Sequence, residues 1–210
     1  MIRATTLRPL LAASGLLWLS ACTLIPESEP VRVYQLPAST LDSNPQAQPL
    51  GLSLRINTPQ AGFAQSGPRM LVNPQGDQLS TYKGARWSDP APALVREHLV
   101  RSFSQRSGLE SVTSDEHGLH ADLHLGSDLQ RFQVIYGEQG PQATVELVAR
   151  LIEPGNRHVI AGRTFLVEQP LDDHQPAGAV KAYGLALDQL SSQLLDWALP
   201  QLQDYQQHRP

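Results

Sequence analysis

Apolar and polar positions alternate with a period of two through several stretches of this 210-residue chain, and recur at helical spacing in two others. Val31-Arg32-Val33-Tyr34-Gln35-Leu36-Pro37 alternates and predicts a first strand. Ala38 to Pro49 holds Ser, Asp, Asn, Gln and two prolines, the chemistry of a loop. Leu50, Leu52, Leu54 and Ile56 alternate into a second strand that stops near Pro59. Two shorter strands are expected at Arg69–Asn73 and Gln78–Lys83. The turn residues Asn73-Pro74-Gln75-Gly76-Asp77 lie between them, which predicts a hairpin. A helix should follow, with Ser88 or Asp89 as its cap and Pro90 at the first helical position, where a missing N–H costs nothing. Leu94, Val95, Leu99 and Phe103 share one face, and Gly108 ends the run. Arg96, Glu97, Arg101 and Arg106 occupy the other side, either as a solvated surface or as a functional face.

Further along, Ala121, Leu123 and Leu125 alternate on one parity, whereas Phe132, Val134 and Tyr136 continue on the other. That change of phase near Gln130 predicts a bulge or bend. The turns Gly137-Glu138-Gln139-Gly140 and Gly155-Asn156 then separate strands through Ala143–Leu151 and Val159–Val167, an antiparallel meander. Val180, Tyr183, Leu187, Leu190, Leu194 and Trp197 form one stripe on a closing helix, Ala177–Leu199. The stripe can pack on a sheet or receive a partner. Residues 201–210, rich in Gln, are expected as a polar tail. The order of strands, helix, strands, helix predicts an α+β domain over residues 31–200: a mostly antiparallel sheet with two main helices packed on it.

The first residues follow another logic. Arg3 and Arg8 precede an apolar run through Leu7, Leu10, Leu11, Leu16, Leu17, Trp18 and Leu19. This run is shorter than the roughly 20 residues a spanning helix needs and suits a cleavable signal peptide over residues 1–21. It ends in Leu19-Ser20-Ala21-Cys22, a lipobox. Cys22 is the sole cysteine, so no intramolecular disulfide competes for its sulfur. We expect diacylglycerol on that sulfur and an N-acyl group, such as palmitate, on the new N-terminus. Residues 22–30 would form the lipidated N-terminus and spacer. Each buried methylene contributes about 0.8 kcal/mol, so two or more chains anchor stably.

Composition narrows the function classes. The whole chain carries 16 basic and 20 acidic residues. Cleavage after Ala21 would remove Arg3 and Arg8 and no acid, leaving a net charge of about −6. A nucleic-acid binder would show a basic patch, and none is visible.

Candidate chemistry is sparse. There is no nucleophile elbow, zincin helix, phosphate loop or dinucleotide fingerprint, so neither catalysis nor a cofactor is expected. His117, His120, Asp122 and His124 form the one metal-like grouping. On a strand, His120, Asp122 and His124 would share a face with about 6.7 Å between neighbours, within reach of chelation. The same positions are equally the solvent side of Ala121-Leu123-Leu125, and we assign no metal. Asp172, Asp173 and His174 read as a solvated turn before Pro176. Arg86-Trp87, entering the helix, reads as a hydrophobic staple or as a binding contact.

Taken in order, several motifs resemble the ABC-type transport auxiliary lipoproteins of the PqiC type. They are the lipobox cysteine, Tyr34-Gln35-Leu36-Pro37, Tyr82 with Arg86-Trp87 and Pro90, Leu129-Gln130-Arg131-Phe132 with the Gly137–Gly140 turn, and the closing helix with Trp197 and Pro200. The resemblance covers nearly the whole mature chain, except Ala38–Pro49 and the Gln-rich tail. It implies a lipoprotein of the outer membrane facing the periplasm. Its partner would be an inner-membrane MCE-domain protein that forms a tunnel for hydrophobic molecules, with Tyr34, Leu36, Arg86 and Trp87 as structural or contact residues. Thr23 after the cysteine, instead of an inner-membrane-retaining aspartate, agrees. The resemblance brings no catalytic residues and implies docking by a homo-oligomer. A lipid-holding carrier and a structural subunit of a secretion complex are the rivals, with a hydrolase further behind.

Overall fold

Leu50–Ile56 and Leu123–Gly137 show how strict alternation builds the centre of this protein. In the computed structural model, which describes residues 30–44 and 47–208, both segments are strands whose alternate residues are buried. The signal segment, Cys22 and the spacer as far as residue 29 lie outside the described residues.

The elements follow in the order β1 (Arg32–Tyr34), β2 (Leu50–Ile56), β3 (Gln60–Ala61), β4 (Arg69–Gln75), β5 (Gln78–Trp87), α1 (Ala91–Arg106), β6 (Leu109–Ser114), β7 (Leu123–Gly137), β8 (Gly140–Glu153), β9 (His158–Pro170) and α2 (Pro176–His208). A single 3-10 turn, Asp115–His117, links β6 to β7. β7 is the spine. One edge pairs antiparallel with β8 from His124 to Gly137, and β8 pairs antiparallel with β9. The meander is therefore present, and the expected irregularity near Gln130 is a register shift between Leu129 and Arg131. The other edge of β7 forks. Its first half pairs parallel with β2, its middle with β3 and its second half with β4. β6 extends the first branch beside β2, and β5 then β1 extend the second beside β4.

The sheet is thus mixed. The expectation of a mostly antiparallel sheet is corrected, because five of the eight pairings among the described residues are parallel. Turn chemistry announces only antiparallel neighbours joined by short loops. Parallel partners need a crossover, so pairs such as Leu54 and Leu123 leave no local signal. β6 was not anticipated for a related reason. Its Glu-Ser-Val-Thr run is largely polar, and it is a strand because β2 offers it an edge.

Both helices cover the same face. α2 lies over β8, β9 and β2, while α1 lies over β6 and β2 and touches α2. Leu52, Leu54, Ile56, Val95, Leu99, Phe103, Val145, Leu147, Leu187, Leu190 and Leu194 are wholly buried between these layers. Each such side chain contributes about 1.5–3 kcal/mol of transfer free energy.

Two local expectations change. α1 begins after Pro90, and neither Ser88 nor Asp89 caps it with a side chain. A capping oxygen usually bonds the N2 or N3 amide, and N2 here is Pro92, which has none. Gly108 closes α1 as expected: its φ is +71°, and a Cβ there would strike the Gln48 carbonyl. At the other end of the chain, α2 continues through Pro200 to His208. An internal proline costs about 3 kcal/mol. Leu202 is fully buried, and the Tyr205 hydroxyl donates to Glu153 at 3.0 Å. The predicted polar tail is helix as far as His208 because this edge of the sheet gives it something to cover.

Candidate functional site

The segment after β1 crosses both helices and is held there by one carboxylate. Asp188 lies in α2 beside the apolar stripe and is buried. It accepts from Ser39 Oγ at 2.6 Å, from the Thr40 amide at 2.9 Å and from Thr40 Oγ1 at 2.7 Å. His98 Nε2 of α1, also buried, sits 3.1 Å from the same carboxylate. Burial pushes the Asp188 carboxyl up. The Ser39 and Thr40 donors and the facing His98 outweigh it and hold the group below the usual carboxylate range. Burial pushes His98 the other way, below its ordinary value, against the attraction of Asp188. The N-terminal arm, α1 and α2 thus meet at one carboxylate.

Beside this latch, Pro37 packs on Gly184, where a Cβ would come within 3.1 Å of the proline ring. Pro37, Ala38, Val180, Gly184 and Leu185 line an apolar groove of about 320 Å³. None of Ser39, Thr40, His98 or Asp188 was singled out in the sequence. A signal existed: Asp188 sits directly after Leu187 in the apolar stripe, and a polar residue there asks for a buried partner.

The residues expected at the arm divide sharply. Tyr34 pairs with Trp87, and Val33 with Arg86, across the β1–β5 junction. Trp87 is fully buried, with ring centroids 5.9 Å from Phe132 and 5.3 Å from Tyr183, and Phe132 stacks on Tyr183 at 4.4 Å. It is a core residue inside an aromatic trio, placed there by β5. Tyr34 and Leu36 are half-buried against the core. Arg86 is exposed on the opposite side of β5.

The metal-like grouping is not assembled. His120 precedes β7 and is exposed. Asp122 is occupied by Ser53, accepting from its amide at 2.8 Å and its hydroxyl at 2.7 Å. His124 Nδ1 lies 3.1 Å from Arg55 Nη2. Burial and that guanidinium depress its pKa, and a fixed positive charge there repels a cation. Among the described residues no three His, Cys, Asp or Glu side chains are grouped to hold a metal ion. In the loop before α2, Asp172 pairs with Lys181 at 2.8 Å, and His174 sets its ring edge against Tyr136.

On the charged side of α1, Glu97 and Arg101 are exposed as a solvated surface would be, but Arg96 is not. It is 5% exposed. Its guanidinium donates to Thr58 at 2.8 Å, Asp115 at 3.2 Å, Glu97 at 2.9 Å and Glu116 at 2.6 Å. Helical spacing alone could not reveal this, because Asp115 and Glu116 come from the 3-10 turn after β6. Arg96 clamps α1 to that turn and to the end of β2.

This arrangement defines a small α+β domain with a forked mixed sheet, entered at one sheet edge by an arm latched to both helices. Residues 34–194 match the family of ABC-type transport auxiliary lipoprotein components, and the chain belongs to that family. It is a family of transport auxiliaries. The crystal structure of protein XCC0632 from Xanthomonas campestris, assigned to DUF330, superposes with a TM-score of 0.76 at 29% identity. It covers 84% of this chain and 99% of that one. A second crystal structure, of an uncharacterized protein, shares the fold with a TM-score of 0.64 at 18% identity, covering 81% and 99% of the two chains. An uncharacterized protein of Bradyrhizobium diazoefficiens is 29% identical over 155 residues, 74% of this chain. This chain spans 41% of the length of that relative.

Proposed function

We propose that this protein is a periplasmic lipoprotein, acylated on Cys22 and facing the periplasm from the outer membrane. In this role it is the non-catalytic auxiliary subunit of an ABC/MCE-type system that moves lipids between membranes. It docks, as a homo-oligomer, on the far end of the MCE-domain tunnel protein. The family match supports the transport role. The observation that carries docking is the latch: Asp188 ties the membrane-side arm to both helices. A tether that enters a rigid domain limits the orientations in which the domain meets a partner, and it raises the local concentration of the domain there. No cofactor enters this scheme beyond the covalent lipid.

The test is site-specific photo-crosslinking in intact cells from Leu185, which borders the groove and is 41% exposed. A crosslink to the MCE-domain protein is the expected product. Crosslinks to lipid alone would replace docking by a lipid-carrier role, and crosslinks to a secretion complex would replace it by a structural one.

A further inference from the structure

A cationic and apolar patch lies on the opposite side of the sheet from the helices, at the edge where the tether enters. In the β1–β5–β4 lobe, Val33 pairs with Arg86, and Arg86 pairs with Arg69. These side chains therefore stand in one row on one face. The neighbours Ala85, Trp87 and Met70 point the other way and are buried. Phe63, in the loop between β3 and β4, lies against the row with its ring 6.0 Å from the Arg69 guanidinium, and it is 89% exposed. Val31 and Val33 add apolar area at 53% and 51% exposure.

The Phe63 loop is braced. The Gln65 and Ser66 amides both donate to the Gly62 carbonyl at 3.0 Å, and Gln65 Nε2 reaches the Gln130 carbonyl of β7 at 3.0 Å. Among the described residues neither Arg69 nor Arg86 has an acidic partner within ion-pair distance, in a chain whose net charge is −4. A single exposed apolar residue is ordinary. An aromatic tip held out beside two unpaired guanidinium groups and two valines matches the headgroup zone of a bilayer. Aromatic rings settle at that depth, and arginine binds phosphate oxygens in a fork.

Position agrees with chemistry. The nine residues from Cys22 to Val31 reach at most about 30 Å when extended. β1 is therefore the element of the domain nearest along the chain to Cys22, and a tether of that length lets it approach the membrane. On the premise that Cys22 is acylated, we infer that Phe63, Val31, Val33, Arg69 and Arg86 form a membrane-contact face for an anionic phospholipid surface. The helices, the latch and the groove then turn toward the periplasm.

The test uses the full acylated protein with Ala64→Cys, spin-labelled, in vesicles of phosphatidylethanolamine and phosphatidylglycerol, with acylation verified by intact mass. The label should be more accessible to oxygen than to an aqueous nickel complex. Each arginine near an anionic surface contributes about fivefold to such an equilibrium, so Arg69→Gln with Arg86→Gln should lower the immersed-to-aqueous ratio roughly 25-fold. Phe63→Ser should lower it as well, with thermal melting unchanged. An acylated protein whose label stays in water overturns the membrane face and leaves docking standing. A label shielded from both reagents assigns the face to a protein and likewise overturns it. A chain without acyl groups overturns the membrane face and the anchored role together.

Discussion

Three donors converge on Asp188 from the arm and a buried imidazole faces it, so the carboxylate carries more than its share of the tertiary structure. Asp188→Ala strips the Ser39 and Thr40 donors of their acceptor and leaves the buried His98 without its carboxylate. We expect a loss of about 3 kcal/mol in urea unfolding, with faster proteolysis between Val31 and Asn44. The pH dependence follows from the directions of the shifts. His98 has its pKa depressed in the folded state, so the unfolded chain binds the proton first as pH falls. Stability is full above the ordinary histidine value of about 6.5 and declines as pH drops from there toward the folded value. Asp188, also depressed, adds a second loss that begins near the ordinary carboxylate value of about 3.9. Urea midpoints measured across pH in His98→Gln should lose the upper slope and keep the lower one. Arg96→Met should cost about 2 kcal/mol. That is less than a fully buried pair would, because its acidic partners Glu97, Asp115 and Glu116 are 51%, 35% and 59% exposed and can rehydrate.

Among the elements, the far end of α2 shows how tertiary contact overrules composition. Pro200 and a glutamine-rich run argue against helix, yet Leu202 is buried and Tyr205 bonds to Glu153. Leu202→Ala should lower stability by about 2–4 kcal/mol. Truncation after Leu199 should lower it at least as much, measured by thermal melting. β7 is the converse case. Its change of phase near Gln130 was visible in the hydrophobic pattern, because a bulge shifts every later side chain to the other parity. The latch stayed hidden for an opposite reason. His98 and Asp188 lie far apart in the chain, and a polar residue beside the α2 stripe asks for a partner without saying which.

For the whole molecule, anchoring and docking are separable. Cys22→Ala should abolish acylation and release the protein from the membrane fraction in a cell fractionation, since the domain would lose two or more acyl chains. The same variant should still fold, because the described domain starts after the spacer.

What the sequence alone determined is local. The alternating strands of the meander, the hairpin, the two helices and the transport-auxiliary family were all legible from periodicity, turn residues and motif order. The tertiary structure alone decided the parallel half of the sheet, the burial of Arg96, the helical Pro200–His208 segment and the meeting of Ser39, Thr40, His98 and Asp188. The physical reason is range. Periodicity and turns act between neighbours along the chain, whereas parallel pairing and buried polar contacts are settled only when distant segments share one water-free interior.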